Sequence, residues 1–391
     1  MLTALTKEGK IYNVAGVKNI RYLQYLKMNR LFFCPVCRER VILKVGSYKI
    51  PHFAHQRSAS CLSVSEPETL QHMQGKQDLF FWLINQGYVV HLEKYLPKIK
   101  QRPDILLSRN GKWFAIEYQC SSISVKLLEE RSNGYRSQNI TPIWIIGGYP
   151  FQKGGNGFYW LNEFHWSFIQ ATEKNGFIIN SYTPENKCFH FLSNISPISS
   201  RKVQANYQIK LLSKMIFPIH HFPKLEKIER TDDYWFYNKR QWLNKKIMYG
   251  KAFQDPFLLS LYESNCHPQL LPPILGIRVD FMGICQTHPA VWQFYIWLDC
   301  LRALKIGERF TFNQVLSAIK KRTSNNHIQF RILPFVPNYY QNRMVYQYLL
   351  ALVEYSYLSE IRKGIFVLHK TIAFPKTMEE VFSMEKEFVR K

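Results

Sequence analysis

Arg102-Pro103-Asp104-Ile105-Leu106-Leu107-Ser108-Arg109-Asn110-Gly111-Lys112-Trp113-Phe114-Ala115-Ile116-Glu117-Tyr118-Gln119 is the stretch on which the fold turns. Asn110-Gly111 separates two apolar runs, and Asn-Gly in that setting is the strongest short-range signal for a two-residue hairpin turn. With Asn110 and Gly111 at the turn, Asp104 falls opposite Glu117. Directly opposed side chains have Cβ atoms about 4.5–5.5 Å apart. Like charges so placed repel, so the pair predicts a cation between them. Gln119, two residues further on, projects from the same face as Glu117.

Composition sets the bounds around this hairpin. The chain has 391 residues, 46% hydrophobic, with 28 Phe, 23 Tyr and 9 Trp, enough for two or three folded domains with a sizeable core. The formal net charge of +24 favours a polyanionic partner, nucleic acid first and an anionic membrane surface second. The membrane is the weaker candidate because no strongly basic amphipathic helix stands out. No apolar run approaches the roughly 18–20 residues that span a bilayer, and Met1–Lys10 lacks the apolar core of a signal peptide. The expected location is cytoplasmic, so the eight cysteines read as metal ligands or buried thiols rather than disulfides.

Four regions follow from the patterning. Residues 1–65 read as a small module of short strands with a helix near 20–27. Residues 66–150 read as helix, strand, hairpin, helix and strand. Glu68 to Gln86 carries helical apolar spacing and stops at Gly87, Ser124 is an N-cap for a helix to Ser137, and Pro142 to Ile146 is a buried strand. Residues 151–285 contain strands near Cys188–Leu192 and Val203–Leu212. Between 201 and 250 there are eleven Lys or Arg against four Asp or Glu, with Tyr234, Trp235, Phe236, Tyr237 and Trp242 interleaved. Two readings stand there: a solvated helix with an aromatic core face, or a base-stacking surface for single strands. Residues 286–391 read as helices at 288–304, 311–322 and 341–356 followed by a Lys-Gly hairpin, resembling a winged helix, a topology that serves either DNA or protein.

On the upstream helix Glu68, His72 and Lys76 recur every four residues and share a face. The full candidate catalytic set is Glu68, His72, Lys76, Asp104, Glu117 and Gln119. Phosphodiester cleavage needs hard oxygen ligands for Mg²⁺ or Mn²⁺, and the metal activates a water. Pro103-Asp104 with Glu117 resembles the PD-(D/E)xK nuclease fold, as does the order helix, hairpin, helix, strand. Cys34-Pro35-Val36-Cys37, His52-Phe53-Ala54-His55, Arg102-Pro103-Asp104 and Ile116-Glu117-Tyr118-Gln119-Cys120-Ser121 together resemble the competence protein CoiA family of transformable bacteria.

The resemblance implies an α+β or α/β multidomain chain. It would have a restriction-endonuclease-like mixed-sheet core, a zinc-finger-like β module before it and a mainly helical region after it. It further implies a factor that promotes recombination of incoming DNA, and the leading reading is a Mg²⁺- or Mn²⁺-dependent deoxyribonuclease acting on single-stranded or branched DNA. Its partners would be single-stranded or branched DNA and a recombinase or other competence proteins, with Asp104 and Glu117 as Mg²⁺ or Mn²⁺ ligands. One departure stands out. The third signature position is Gln119, which carries no positive charge. Lys76 is the candidate substitute, better placed than Lys112 or Lys126. The alternative is a DNA-binding or recombinase-helper protein with a degenerate nuclease fold. Arg131 and Tyr135, one turn apart on the following helix, are candidates for phosphate contact or, for Tyr135, the core.

Cys34-x2-Cys37 is half of a zinc site. The other half is either His52 with His55 or His55 with Cys61. Residues three apart on a strand face opposite sides, which favours Cys34, Cys37, His55 and Cys61 over a set including His52. A second group, Cys266, His267, Cys285 and His288, is a much weaker metal signal, and Cys120, Cys188 and Cys300 read as plain buried thiols.

Overall fold

The structure, a computed structural model, describes residues 1–46, 49–56, 61, 68–148, 151–155, 157–172, 176–219, 232–251 and 253–389. The N-terminal module comprises β1 (Thr3–Thr6), β2 (Ile11–Asn13), α1 (Ile20–Asn29), β3 (Phe32–Phe33), β4 (Arg40–Lys44) and β5 (His52–His55). Its five strands form an antiparallel sheet in the order β2-β1-β3-β4-β5. The helix lies on it through Leu23 and Leu26, both buried.

Next come α2 (Leu70–Ile84), β6 (Val89–Leu92), β7 (Ile105–Arg109), β8 (Lys112–Gln119), α3 (Val125–Ser137) and β9 (Ile140–Gly147), in the expected order. Asn110 and Gly111 have φ of 49° and 73°, the positive pair that a type I′ turn requires. The hairpin register runs from Ile105↔Ile116 to Arg109↔Lys112, as the turn dictates. Ser124 caps α3 by accepting from Leu127 N–H. That helix carries the chain back over the sheet, so β9 lies parallel to β8.

The sheet does not stop at residue 150. Added to it are β10 (Gln152–Lys153), β11 (Phe158–Trp160), β12 (Gln170–Thr172), β13 (Gly176–Thr183), β14 (Cys188–Pro197) and β15 (Lys202–Leu211), with the short α4 (Glu163–Ser167) between β11 and β12. The strand order is β10-β11-β15-β14-β13-β9-β8-β7-β6, ten strands in all with β12 beside β13. β13 pairs with β9 in parallel, so one sheet crosses the expected boundary between 66–150 and 151–285. The reason is legible in β9: Ile143 and Ile145 enter one apolar core, Trp144 and Ile146 the other. A strand buried on both faces is a central strand and needs a neighbour on each side.

The chain continues through α5 (Asp232–Tyr249), α6 (Pro256–Glu263), α7 (Pro289–Ile296), β16 (Arg309–Thr311), α8 (Phe312–Ser324), α9 (Tyr339–Glu354), β17 (Leu358–Arg362), β18 (Ile365–Leu368) and α10 (Met378–Val389). α7 runs on into a π-helical segment, Trp297–Leu301. β16, β18 and β17 form a small antiparallel sheet, closed by the Lys363-Gly364 turn. The three expected C-terminal helices and the hairpin are all present. In α5 some of the aromatics face inward, while Tyr237 and Tyr249 are exposed. Trp235 and Phe236 are buried, the Trp235 indole donates to Gly276 O, and Trp242 stacks on His288 at 3.9 Å. Of the two readings of this segment, the core-face reading holds for Trp235, Phe236 and Trp242.

α2 meets the sheet closely at one point. A Cβ on Gly75 would lie 2.2 Å from the Tyr118 ring, which is itself buried and fixed by its hydroxyl donating to Tyr182 O at 2.9 Å. Gly75→Ala is expected to destabilise the chain by about 1–3 kcal/mol through overpacking. Urea denaturation compared with wild type checks this; an unchanged midpoint would contradict the packing described.

Candidate functional site

The two acids of the hairpin take their partners from opposite layers. Asp104 lies just before β7, where Pro103 offers no N–H to the ladder. Its backbone carbonyl accepts from Glu93 N–H at 2.9 Å, and its Oδ2 accepts from Tyr118 N–H at 2.9 Å. On the α2 side, His72 Nε2 lies 3.2 Å from Oδ2 and Lys76 Nζ 3.4 Å from Oδ1. Glu117, on the α3 side of β8, is held by the Arg131 guanidinium and the Tyr135 hydroxyl. The cation that repulsion between the acids demands is therefore supplied twice, by Lys76 for Asp104 and by Arg131 for Glu117.

Lys76 is the centre of the arrangement. It is wholly buried, with Nζ 2.6 Å from Glu93, 2.9 Å from Glu68 and 3.4 Å from Asp104. His72 and Lys76 share a face of α2 as their spacing predicts. Glu68 does not: α2 begins at Leu70 behind the Thr69 N-cap, so Glu68 belongs to the approach and reaches Lys76 from outside the helix. Its other oxygen lies 2.9 Å from the Met1 ammonium. Glu93 accepts from Leu2 N–H, Thr3 N–H and the Thr3 hydroxyl. Gln119 is turned away from this network and donates to Ser121 O and Oγ.

The electrostatics follow from burial and pairing. Burial alone would raise the pKa of Glu68, Glu93 and Asp104, but nearby cations outweigh it. Lys76 and the Met1 ammonium hold Glu68 well below the usual range, and the same two cations bring Glu93 down to about 2. Asp104 is held low by His72 and Lys76. Lys76 is correspondingly raised despite its burial. Glu117 differs: burial raises it, with the Asp104 charge acting in the same direction and Arg131 against. Arg131 in turn is raised by Glu117.

Sequence reasoning did not assign roles to Glu93 and Arg102. Glu93 follows the apolar run Val89–Leu92 and so reads as a solvated strand end. In the fold it is buried at a left-handed turn, φ 51°. Arg102, half-buried, is raised by Glu93, Glu68, Cys34 and Asp104 acting against its desolvation. The available signal was an arginine immediately before Pro-Asp.

The Cys/His cluster assembles as the strand alternation argues. One ligand atom each from Cys34, Cys37, His55 and Cys61 lies within 4.8 Å of every other. Cys34 Sγ and Cys61 Sγ are 3.9 Å apart, and Cys37 Sγ and His55 Nε2 are 3.4 Å apart. A tetrahedral zinc site would place two sulfurs about 3.8 Å apart and a sulfur and nitrogen about 3.6 Å apart. Arg38 at φ 63° closes the Cys34–Cys37 knuckle, its N–H reaching Cys34 O, and Val36 N–H points at Cys34 Sγ. His52 is not in the group; its Nδ1 lies 2.9 Å from Ile50 O. The donor set fits a metal such as zinc.

Among the described residues no other group gathers three His, Cys, Asp or Glu ligand atoms as closely. Cys266 instead donates to Ser264 O, His267 caps a short helical turn and His288 caps α7. Cys188 is buried, while Cys120 and Cys300 are half-buried. A nuclease-like domain suggests a divalent metal. The Asp104/Glu117 pair does not fit one in this arrangement, because each carboxylate is already engaged by protein cations and hydrogen-bond donors.

Three domains of one family match in order: the competence protein CoiA N-terminal domain over residues 16–64, its nuclease-like domain over 68–224, and its C-terminal domain over 231–382. The competence protein CoiA of Bacillus subtilis (strain 168) is 28% identical over 370 residues, covering 93% of this chain and 96% of that protein. No solved structure matches. The chain is thus a mixed α+β protein built around a nuclease-like domain, with no helix among the described residues long and apolar enough to cross a membrane. It belongs to the competence protein CoiA family.

Removing Lys76 should leave three largely buried acids without their shared cation. Lys76→Met is expected to destabilise the chain by about 3–5 kcal/mol at neutral pH. The sign with pH follows from linkage. In wild type Glu68, Glu93 and Asp104 have depressed pKa values, so their stabilisation is complete above about pH 5 and is lost as pH falls toward 2. In the variant the same acids become easier to protonate, and acidification relieves their repulsion. Urea midpoints of the two proteins should therefore converge between about pH 5 and 3; parallel curves would rule out the arrangement described.

Proposed function

We propose that this chain handles single-stranded or branched DNA during natural transformation, promoting recombination of the incoming strand, and that its nuclease-like domain binds DNA without cutting it. The observation that carries this reading is the internal pairing of four carboxylates, two buried and two half-buried. Glu68, Glu93 and Asp104 share Lys76, and Glu117 is held by Arg131. A divalent cation is bound by oxygens with charge to spare; here the charge is spent inside the protein. Lys76 is enclosed by acids and Gln119 is neutral, so neither presents a cation to a water where the nuclease signature requires one. Affinity for DNA then comes from the basic surface behind the net charge of +24. The order α7, β16, α8, α9, β17, β18 supports the winged-helix reading of the C-terminal region, which would add a second candidate DNA surface.

Hydrolysis with Mg²⁺ or Mn²⁺ is the second reading, and one observation favours it: Lys76 contacts Asp104, so a cation does stand beside the first signature acid. It would require Arg131 to release Glu117. The two readings separate in one assay. Labelled single-stranded, duplex and branched DNA is incubated with Mg²⁺ or Mn²⁺ and wild type, Asp104→Ala or Glu117→Ala protein. The expected result is salt-sensitive binding with no cleavage by any of the three. Cleavage by wild type that both substitutions abolish establishes the enzyme instead.

Zinc is the metal proposed for Cys34, Cys37, His55 and Cys61, as a closed site that organises the N-terminal module and takes no part in chemistry. Elemental analysis of the purified chain is expected to give one zinc per molecule, falling at least tenfold in Cys37→Ser. Full occupancy in that variant would remove Cys37 from the site.

A further inference from the structure

The N-terminal module carries a surface that neither the acid cluster nor the Cys/His cluster uses. α1 is anchored through Leu23 and Leu26, 0% and 5% exposed. Its opposite face carries Tyr22, Tyr25 and Met28, which are 45%, 59% and 86% exposed. At spacings of three these side chains line one side of the helix. Burying them is not needed to hold the helix down, since the Leu face already does so. The Tyr22 hydroxyl reaches Tyr12, which orients the ring and leaves its face available.

Charge surrounds this stripe. Residues 1–46 contain nine Lys or Arg and two Asp or Glu, against 52 and 28 in the whole chain. All nine basic residues are exposed. Arg21 and Lys27 lie on α1 itself, Lys18 just before it and Arg30 at its C-cap; among the described residues Arg30 is paired with an acid, Glu8 at 4.0 Å, and no such pair is formed by the other three. The contrast with α5 is direct. There Trp235, Phe236 and Trp242 are turned toward the core, whereas here Tyr22 and Tyr25 stand in solvent among exposed cations.

From this juxtaposition we propose that the exposed face of α1 is a stacking platform for single-stranded DNA. Bases would stack on Tyr22 and Tyr25 while Lys18, Arg21, Lys27 and Arg30 neutralise the adjoining phosphates. The choice of DNA as the strand rests on the proposed function above. A lipid surface fits less well, because two of the three side chains of the stripe are phenolic and the helix has only ten residues, interrupted on the same side by Arg21 and Gln24.

The test uses the full chain and fluorescence anisotropy. Labelled oligothymidine and an abasic strand of equal length are titrated with wild type and Tyr22→Ala/Tyr25→Ala, at several salt concentrations. Circular dichroism first checks that the variant melts as wild type does; both tyrosines are exposed, so it should. Wild type should prefer the base-bearing strand. The double variant should lose between about 5-fold and 100-fold in affinity for it and bind the two strands alike. A separate Arg21→Ala/Lys27→Ala protein should keep the base preference but flatten the salt slope by about 0.7 per charge removed. If wild type binds oligothymidine and the tyrosine variant binds it equally well, the platform is disproved while DNA handling stands. If wild type binds neither strand, the proposed function fails, and the platform with it. A tyrosine variant that keeps strand affinity yet loses binding to phosphatidylserine-containing vesicles would reassign the face to lipid.

Discussion

One buried ammonium holds three segments together. Lys76, on α2, ties the approach to that helix through Glu68, the end of β6 through Glu93 and the start of β7 through Asp104. Two of those acids also reach the N-terminal module, Glu68 through the Met1 ammonium and Glu93 through the backbone of Leu2 and Thr3. Lys76 and Glu93 are out of water and Glu68 and Asp104 largely so, and each charge would be unfavourable without its partner. The network can exist only if the module, helix and hairpin are all in place, so it couples their folding. That is the behaviour of a specificity device: satisfied in one arrangement and costly in any other.

The same requirement explains which parts of the fold were legible in advance. The hairpin register is dictated by a two-residue turn whose chemistry is written in Asn110-Gly111, and the observed pairs follow it residue by residue. The order α-β-β-β-α-β is equally local, read from apolar spacing and caps. The continuation of the sheet past residue 150 is not local. It depends on β9 being buried on both faces, and the run Ile143-Trp144-Ile145-Ile146 signals burial without saying what strand will lie on the far side. The aromatics of α5 show the complementary failure: periodicity cannot tell a stripe that faces a core from one that faces a ligand, and only the packing of Trp242 on His288 decides it.

The site residues divide along the same line. His72 and Lys76 follow from helix spacing, and the four cluster ligands from a Cys-x2-Cys knuckle and strand alternation. The partners of the acids do not. Asp104 and Glu117 share a register position, yet one is compensated from α2 and the other from α3. Opposition across a hairpin fixes the spacing of two backbones but not the direction in which a strand-end carboxylate turns, and Pro103 frees Asp104 from the ladder. Arg131 and Tyr135 look like phosphate contacts on a bare helix because nothing in the sequence says that Glu117 lies beneath them. Glu93 is invisible for a related reason, since a charged residue closing an apolar run is ordinarily solvated.

Arg102 connects the acid cluster to the Cys/His cluster. It is half-buried, with Nη1 shielded from solvent, and Glu93, Glu68, Cys34 and Asp104 all favour its charge against desolvation. It also acts on His55, one of the four cluster residues, adding to the burial that disfavours a charged imidazole there. Metal ligation needs that imidazole neutral and the thiols deprotonated. Burial pushes the Cys37 thiol up to about 12, so forming a thiolate there costs free energy that a bound ion would have to supply. A zinc ion on three thiolates and one imidazole would leave one net negative charge, which Arg102 is placed to balance. The arginine before Pro103-Asp104 thus acts electrostatically on groups of both clusters. Were zinc bound there, losing it would remove one of the charges that Arg102 meets, and the two clusters would be coupled through this one side chain.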